Sequence, residues 1–402
     1  MDEIFHVLAK NAIDTNEGSE TTMKRCLKAF LTCILVSCSI ARAYSQSSVT
    51  LYGIIDTGVE FISHAGPAGD RLFRMPSTTG SLPSRWGFRG SEDLGGGYRA
   101  TFVLESGFGP NTGALAQGGR LFGRQAWIGL ESQYGTLSFG RQYTTTYIAV
   151  LENDIMGPAI YGIASLDAYI ANARADNSVA YRVNLHGLTA LATYSFGRDS
   201  AGTGNSPGQG TCAGQVPGAF TQCRDWSAML KYDSDRFGAV VSYEEERGGV
   251  NAAANFFDGV APTPLSTSNG IDARLYIDAY AKFLGATISG GWLNRRVETV
   301  NSGTPVVTSN MFFLGARYLV TPAVAIDGEV FRIINAQHDT RATLATLRGI
   351  YSLSKRSAVY VQGAYIFNSA KAAYGVSAGG PGGSPAPGVG QAAVMVGLRH
   401  LF

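Results

Sequence analysis

Few side chains of this sequence have the types and spacing that bond-making chemistry needs. Residues 204–208 (GNSPG) fit the Gly-x-Ser-x-Gly string of a nucleophile turn, but Pro207 is poorly suited to the strand, sharp turn and helix around such a serine. The neighbouring glycines do not lie between a strand and a helix, as a phosphate-binding loop requires. The five histidines are scattered and lack the spacing of a metal site. We therefore expect no enzyme activity, no cofactor and no metal.

Charged side chains could act in another way, because opposed charges beside a water-filled path select among passing ions. A low-dielectric wall strengthens the field of such charges. Arg85 and Glu105 stand opposite apolar neighbours in two alternating segments, and Asp167 lies in a long semi-apolar stretch at 144–172. Whether these charges come together depends on the elements that carry them.

Those elements are predicted to be β-strands, because apolar and polar residues alternate at period two along most of the chain. Residues 392–402 alternate up to the final aromatic residue, and an apolar strand at the end of a chain needs a pairing partner. The first alternating segment, 49–61, is the natural partner, and their pairing would close the sheet into a barrel. About sixteen strands are expected, with short turns at one end and long loops at the other. One of the short turns is expected over residues 91–97.

Composition favours a membrane barrel over a soluble one. The chain holds 51 Gly, 19 Tyr and 20 Phe against 14 Pro, and charged residues make up 15%, below the roughly 25% of a soluble domain. The inward-facing positions carry Asp, Glu, Arg, Thr, Ser, Tyr and Gly, and a barrel of about sixteen strands is too wide for side chains to fill. The predicted fold is therefore all-β, a sixteen-stranded antiparallel transmembrane β-barrel over residues 44–402.

The N-terminus is predicted to be a targeting segment. A basic head, an apolar middle and a small-x-small cleavage site follow one another within residues 23–43, which we interpret as a signal peptide. Cleavage is expected after Ala43, with Ser45 as the alternative. Met23 stands where an initiator is expected, so residues 1–22 are interpreted as a non-native upstream extension. An uncleaved anchor is the alternative, but the apolar run is shorter than the ~20 residues that a span needs.

Cysteine usage fits an oxidising compartment. Three of the five cysteines lie in the N-terminal targeting segment, which leaves Cys212 and Cys223 as the pair downstream. We expect a disulfide between them that closes a small external loop. Two free thiols are the alternative.

Several segments of the sequence together resemble a known family. They are residues 48–53 (SVTLYG), 84–87 (SRWG), 104–108 (LESGF), 124–127 (RQAW), 135–137 (GTL) with 140–142 (GRQ), 176–179 (DNSV) and 397–400 (GLRH). In this order they are similar to the general porins of Gram-negative β-proteobacteria, the trimeric sixteen-stranded type. The resemblance implies a homotrimer in the outer membrane, a third loop folded into each barrel, and passive diffusion of ions and small hydrophilic solutes. Phe402 looks like the signal read by the barrel-assembly machinery.

Two positions depart from the family pattern. Leu401 stands where the family often has a basic residue, which matters little for function. Ala180 stands where the family has an arginine, which puts one member of the usual constriction ladder in doubt. The expected partners are outer-membrane lipid and lipopolysaccharide. Nucleic acid is not expected, because the net charge of +2 gives no global field.

A pore constriction is expected where the loop at 144–172 enters the barrel. The expected constriction residues are Arg85, Glu105, Arg124, Arg141, Asp167 and Arg174, with Glu152, Asp154 and Arg182 as secondary pore charges. Asp167 is the best candidate for a counter-charge to the arginines. Arg124 and Arg141 match arginine positions of the family, but strict alternation puts both on the apolar side, so a β-bulge or a strand end must re-aim them. The excess of arginine suggests a mild anion preference.

Other functions stay open at this point. A barrel hydrolase would need a histidine paired with Ser or Asp at the rim, where three of the histidines could lie. An adhesin or structural barrel would have a blocked pore. A substrate-specific channel would show aromatic ladders, and four tyrosines near the loop are compatible with one, although packing against the wall explains them more simply. These tyrosines are Tyr143, Tyr147, Tyr161 and Tyr169.

Overall fold

The computed structural model describes residues 48–77, 79–167, 174–198, 212, 214–299 and 305–402. Sixteen long strands among these residues form one antiparallel sheet in which each strand pairs with the next along the chain. They are β1 (Ser48–Ala65), β2 (Arg85–Gly95), β3 (Tyr98–Gly107), β4 (Gln125–Ser132), β5 (Gly135–Tyr143), β6 (Arg174–Leu185), β7 (Leu188–Ser195), β8 (Asp225–Asp233), β9 (Phe237–Arg247), β10 (Ile271–Phe283), β11 (Ala286–Glu298), β12 (Val307–Thr321), β13 (Val324–Asn335), β14 (Thr340–Ser352), β15 (Ser357–Asn368) and β16 (Gln391–Leu401). The predicted signal peptide at 23–43 and the extension at 1–22 lie outside the described residues.

The sheet is closed by its two end strands. β1 pairs with β2 through its first half and with β16 through its second half. Beyond β16 the main chains of Gly53 and Phe402 exchange two hydrogen bonds, each 3.0 Å long. A closed ring has no free edge strand. The predicted all-β barrel is therefore confirmed, together with the pairing of the first and last alternating segments.

Short turns and long loops alternate around the ring, as predicted, except that only residues 336–339 join β13 to β14. Tight two-residue turns join β2 to β3, β6 to β7 and β10 to β11, and each has positive φ at both residues. β2 runs on to Gly95, whereas the sequence indicated a turn over 91–97. The strand is longer because polar residues continue its ladder, with Ser91 opposite Thr101 and Asp93 opposite Arg99.

The two faces of the wall differ sharply in polarity. Along β16, the side chains of Val394, Val396 and Leu398 are exposed on the outer face, while those of Ala393 and Met395 are buried inside. The other strands repeat this pattern with exposed aliphatic and aromatic residues outside and many charged residues inside. An apolar exterior around a polar interior is the arrangement of a barrel that faces lipid.

Little of the described chain is helical. The helical segments are α1 (Thr145–Asn153), a 3-10 turn (Ile163–Ser165) and a distorted turn (Ala116–Gly119). No helix among the described residues is long and apolar enough to cross a membrane. Three short strands complete the assignment: Asp70–Arg74 pairs with β1, and Ala253–Ala254 pairs with Thr263–Pro264.

The loop between β5 and β6 lies inside the barrel, as predicted for the third loop. α1 packs against the inner face of the wall, and the Met156 N–H donates to Glu329 Oε2 of β13 at 2.9 Å. Ile160 and Tyr161 are fully buried in the apolar layer between the loop and the wall. Residues 168–172 of the predicted constriction loop lie outside the described part of the chain.

A disulfide links Cys212 and Cys223, with their Cα atoms 5.7 Å apart. The predicted pairing is therefore present. The Cys223 N–H donates to the Gly248 carbonyl at 3.0 Å, and both cysteines belong to a small buried apolar cluster with Ala252 and Leu265. The bond thus closes a segment within the loop after β7, and the Cys223 hydrogen bond ties that loop to the loop after β9.

Candidate functional site

A single carboxylate, Glu105 of β3, gathers several side chains on the inner wall. Its Oε1 accepts from Arg124 Nε at 2.8 Å and from the Tyr143 hydroxyl at 2.6 Å. Its Oε2 accepts from the Tyr52 hydroxyl at 3.0 Å and lies 3.4 Å from Arg85 Nε. Hydrogen bonds to an ionised carboxylate are stronger than those between neutral groups. The structure thus brings together three of the predicted constriction residues, Arg85, Glu105 and Arg124.

Arg124 and Arg141 both point into the barrel, one because it lies at a strand end and the other because it lies at a β-bulge. Arg124 lies just before the first residue of β4, where alternation has not yet begun. Arg141 lies at a register shift in the ladder between β5 and β6, so the bulge re-aims its side chain. Its Nη1 lies 2.5 Å from Asp176 Oδ1, and its Nε donates to the Gly123 carbonyl at 2.7 Å. Arg141 therefore pairs with a carboxylate other than Glu105, and Arg120 shares that carboxylate.

Arg174, the first residue of β6, brings a further positive charge to the same place. Its guanidinium carbon lies 5.1 Å from the ring centre of Tyr143 and 5.3 Å from that of Tyr147. The side chain is only 2% exposed, and its Nε and Nη1 have no hydrogen-bond partner among the described residues. An aromatic ring attracts a cation without neutralising it. Arg174 is therefore held in place by the two rings, and no carboxylate among the described residues forms an ion pair with it.

We call this group of side chains the lumen cluster. It consists of Tyr52, Arg85, Glu105, Arg124, Tyr143, Tyr147 and Arg174. Among its described side chains, three guanidiniums face one carboxylate.

The pKa of the Tyr147 hydroxyl, in α1, reflects the charges of the arginines beside it. Burial by itself would raise the pKa of this hydroxyl, yet the guanidiniums of Arg124 and Arg174 hold the pKa below its ordinary value. A buried acid is easier to ionise only where the surrounding potential is positive. The Tyr147 hydroxyl therefore lies in a positive local potential beside Arg124 and Arg174.

Asp167 lies in a different group of charges. Its carboxylate accepts from Arg274 Nε of β10 at 3.2 Å, and Arg274 Nη1 also lies 3.2 Å from Asp272 and 3.4 Å from Glu246. Arg295 Nη2 in turn donates to Asp272 at 2.7 Å. Asp167 thus links the third loop to the wall, and the carboxylate that accompanies the arginines of the lumen cluster is Glu105.

The secondary charges Glu152 and Arg182 lie near one another. Glu152 of α1 accepts from Lys231 Nζ at 2.7 Å and lies 3.8 Å from Arg182 Nη2. Lys231 also lies 3.0 Å from Asp233. These four residues form a mixed group in which the charges balance, so they contribute little net field.

Asp154, at the end of α1, lies in a buried acidic pocket. The Gly157 N–H donates to its carboxylate, while Asp278 of β10 and Glu329 of β13 are its acidic neighbours. Burial, together with the charge of Asp278, raises the pKa of Asp154 to about 7, although the Gly157 hydrogen bond opposes the rise. The pocket therefore favours the protonated form of Asp154.

Several residues of these groups were not predicted. Tyr52, Asp176, Lys231, Arg274 and Arg295 all lie on the inward-facing positions of their strands or near them. Alternation could have marked them as facing the lumen. It could not have shown which of them share one level of the barrel, because that depends on the stagger between strands and on the path of the third loop.

Known proteins with related sequences identify the family. The sequence model of the Gram-negative porins matches residues 31–371. The chain belongs to the Gram-negative porin family. An outer membrane porin protein of Bordetella pertussis is 30% identical to this porin over 410 residues, covering 93% of this chain and 100% of that protein. Outer membrane porin protein 32 of Delftia acidovorans is 27% identical, covering 94% of this chain and 100% of its own length.

Solved structures share the fold of this porin. The anion-selective porin from Comamonas acidovorans superposes with a TM-score of 0.70 at 25% identity, covering 89% of this chain and 100% of that one. The trimer form of OmpT from Vibrio cholerae has a TM-score of 0.61 at 15% identity, which shows the fold alone. Together with the closed barrel and its polar interior, these relationships establish an outer-membrane porin, through which ions and small hydrophilic solutes diffuse passively.

Proposed function

We propose that this porin is mildly anion-preferring and that the lumen cluster sets the preference. The observation that supports the proposal is the excess of positive charge in that cluster. Its described side chains include three arginines, Arg85, Arg124 and Arg174, but one carboxylate, Glu105. A barrel wall of low dielectric strengthens the field of such an excess. An anion that passes the cluster is therefore stabilised relative to a cation of the same size.

The three arginines contribute in different ways. The Arg85 side chain is 18% exposed, so it can contact a passing ion, whereas Arg124 is almost fully covered and is fixed by Glu105. Arg174 is buried against Tyr143 and Tyr147 and acts through its potential. Its field still reaches the water path, because screening in physiological salt acts over about 8 Å and is weaker for buried charges.

The network around Arg274 supports assigning the preference to the lumen cluster. Among its described, ion-paired members, three arginines meet three carboxylates, so each arginine lies beside a carboxylate. They are Arg198, Arg274 and Arg295 with Asp167, Glu246 and Asp272. Further support comes from the Comamonas acidovorans porin, which is described as anion-selective and shares 25% of its residues with this chain.

Single-channel conductance with ions of different size tests the proposal. Purified porin is inserted into planar bilayers and bathed in potassium chloride, in a potassium salt of a bulky anion, or in the chloride of a bulky cation. We expect the bulky anion to lower conductance more than the bulky cation does, because anions carry most of the current. The opposite order would refute anion preference, and silence in all three salts would indicate a blocked barrel.

We also propose the export and assembly route that the resemblance implies. Residues 23–43 would direct export and be removed after Ala43, and Phe402 would be read by the barrel-assembly machinery. Three barrels would then form a homotrimer in contact with outer-membrane lipid and lipopolysaccharide. N-terminal sequencing of the mature protein tests the cleavage site, and conductance steps grouped in threes test the trimer. A mature chain that begins at residue 23 or earlier would contradict the signal peptide.

A further inference from the structure

The segment that leads into β2 turns back on itself inside the barrel. Residues 79–84 form a tight turn, in which Thr79 and Pro83 make an isolated antiparallel bridge. We call residues 79–84 the inner turn. It contacts Asp56 of β1 on one side and Ile160 of the third loop on the other. The inner turn therefore lies between the wall and the third loop.

The carboxylate of Asp56 holds the inner turn against the wall. Its Oδ2 accepts from the Ser81 N–H at 3.1 Å, from the Ser81 hydroxyl at 2.5 Å and from the Leu82 N–H at 2.9 Å. Its Oδ1 accepts from the Tyr360 hydroxyl of β15 at 2.5 Å. Asp56 is only 1% exposed. Because a buried carboxylate is costly unless donors surround it, these hydrogen bonds fix the position of the turn.

The inner turn has no room for a side chain at Gly80. A Cβ atom there would lie 2.2 Å from Asp56 Oδ1 and 2.2 Å from the Tyr360 hydroxyl oxygen. These two oxygens are hydrogen-bonded to each other, so neither can move away without weakening that bond. The change Gly80→Ala therefore displaces the turn without altering any charge.

The inner turn connects the lumen cluster to the third loop. The Pro83 carbonyl accepts from Arg85 Nη1 at 3.1 Å. Arg85 is the arginine of the lumen cluster whose side chain is exposed enough to contact a passing ion. The Gly80 carbonyl accepts from the Ile160 N–H at 2.9 Å. One short turn thus sets both where the Arg85 guanidinium lies and where the third loop lies.

We propose that Asp56 is a positioning residue for ion passage, which acts through the inner turn on Arg85 and on the third loop. Asp56 is too deeply buried to contact a passing ion. A guanidinium fixed close to the ion path acts strongly on an ion, whereas one that moves away acts through more water, which screens its field. The effect on selectivity rests on the proposed anion preference. The effect on the width of the water path does not depend on it.

Two measurements on purified porin test this role. They are the reversal potential across a potassium chloride gradient and the rate at which neutral oligosaccharides enter liposomes that contain the porin. The test variants are Asp56→Asn and Gly80→Ala. The control is Gly363→Ala on β15, where the nearest neighbour of the added Cβ would be the Ala393 carbonyl oxygen at 3.6 Å. In both test variants we expect a reversal potential closer to zero and faster sugar entry. The control should match the wild type.

A role for Asp56 as a charge alone predicts the opposite pattern. Asp56→Asn would then move the reversal potential further to the chloride side, because a negative charge is lost, and Gly80→Ala would leave it unchanged. That pattern, or wild-type sugar entry in both test variants, would overturn the inference. A wild type without anion preference would refute the proposed function, and sugar entry would then test the positioning role by itself.

A milder variant keeps the test usable if the first two fold poorly. Ser81→Ala removes one hydroxyl donor to Asp56 and keeps every charge. We expect it to shift both quantities in the same direction as Gly80→Ala, by a smaller amount. Circular dichroism in detergent will show that each variant is a folded barrel. Wild-type values of both quantities in a folded Ser81→Ala and a folded Gly80→Ala would contradict the positioning role.

Discussion

The guanidinium of Arg174 lies 5.3 Å from the ring centre of Tyr147, while its Nε and Nη1 lack hydrogen-bond partners among the described residues. The ring belongs to the third loop and the arginine to the wall, so this contact holds the start of the loop against the wall. It keeps a positive charge in place without neutralising it. The selectivity of the channel is expected to follow from that charge.

Replacing Glu105 should increase anion preference. The change Glu105→Gln removes the one carboxylate among the described side chains of the lumen cluster while keeping an acceptor for Arg124. Reversal potentials in a salt gradient should move further towards the chloride equilibrium potential. The control Glu298→Gln removes a carboxylate that pairs with Arg296 and should leave the reversal potential unchanged. A shift towards the potassium side in the Glu105 variant would contradict this view of the cluster.

The seam between the first and last strands should be sensitive to one added methyl group. A Cβ atom at Gly53 would lie 2.2 Å from Cζ of Phe402, so the terminal ring must move in Gly53→Ala. We expect a loss of stability of about 1–3 kcal/mol, as for other overpacked sites, measured as a lower unfolding temperature in detergent. Gly349→Ala is the matched control, because its nearest neighbour would be Val361 Cγ1 at 3.7 Å. Equal unfolding temperatures for the two variants would argue against a tight seam.

The buried carboxyl of Asp154 should make stability depend on pH. Its pKa is raised to about 7 in the folded protein, so the folded state binds the proton more tightly than the unfolded state does. Stability is then full at low pH and falls as pH rises from about 4 to about 7, at up to about 1.4 kcal/mol per pH unit. Unfolding temperatures measured across this range should decline less steeply in Asp154→Asn.

The control for this experiment is Asp235→Asn, since Asp235 lies exposed in the turn between β8 and β9. This variant should keep the wild-type slope. An identical slope in Asp154→Asn and the wild type would show that the acidic pocket does not govern the pH dependence.

Loss of the disulfide should loosen an external loop without changing conduction. The bond closes a segment with a sequence separation of 11 residues, for which chain entropy predicts about 3 kcal/mol of stabilisation. The Cys212→Ser, Cys223→Ser variant should be cut faster by protease within this loop. Reduction of the wild type should reproduce that effect. Faster cleavage elsewhere in the barrel, or altered conductance, would assign the bond a wider role.

Much of the fold could be predicted because alternation at period two is local and repeats in every strand. The closure of β1 on β16 followed from the apolar row that ends at Phe402. The end of β2 was harder to predict, because the polar residues after Gly90 are typical of a turn. In the structure they continue the hydrogen-bonded pairing of β2 with β3. Side-chain polarity predicts whether a residue faces lipid, water or the interior more reliably than it predicts where a strand ends.

The site was predictable only in part, for a geometric reason. Arg85 and Glu105 lie on neighbouring strands near one level, so alternation was enough to group them. Asp167 lies on the third loop, and its pairing with Arg274 depends on how that loop crosses the interior. Arg141 depends on a bulge that shifts the register by one position. Neither a loop path nor a bulge leaves a periodic signal in the sequence.

The sign of the reversal potential across a salt gradient tests the central claim most directly. We expect the wild-type porin to reverse on the chloride side of zero, and Arg174→Gln to move the value towards zero, because one uncancelled charge is removed from the lumen cluster. The outer-face variant Arg296→Gln should match the wild type. A wild-type reversal on the potassium side, or an Arg174→Gln variant indistinguishable from the wild type, would contradict the account.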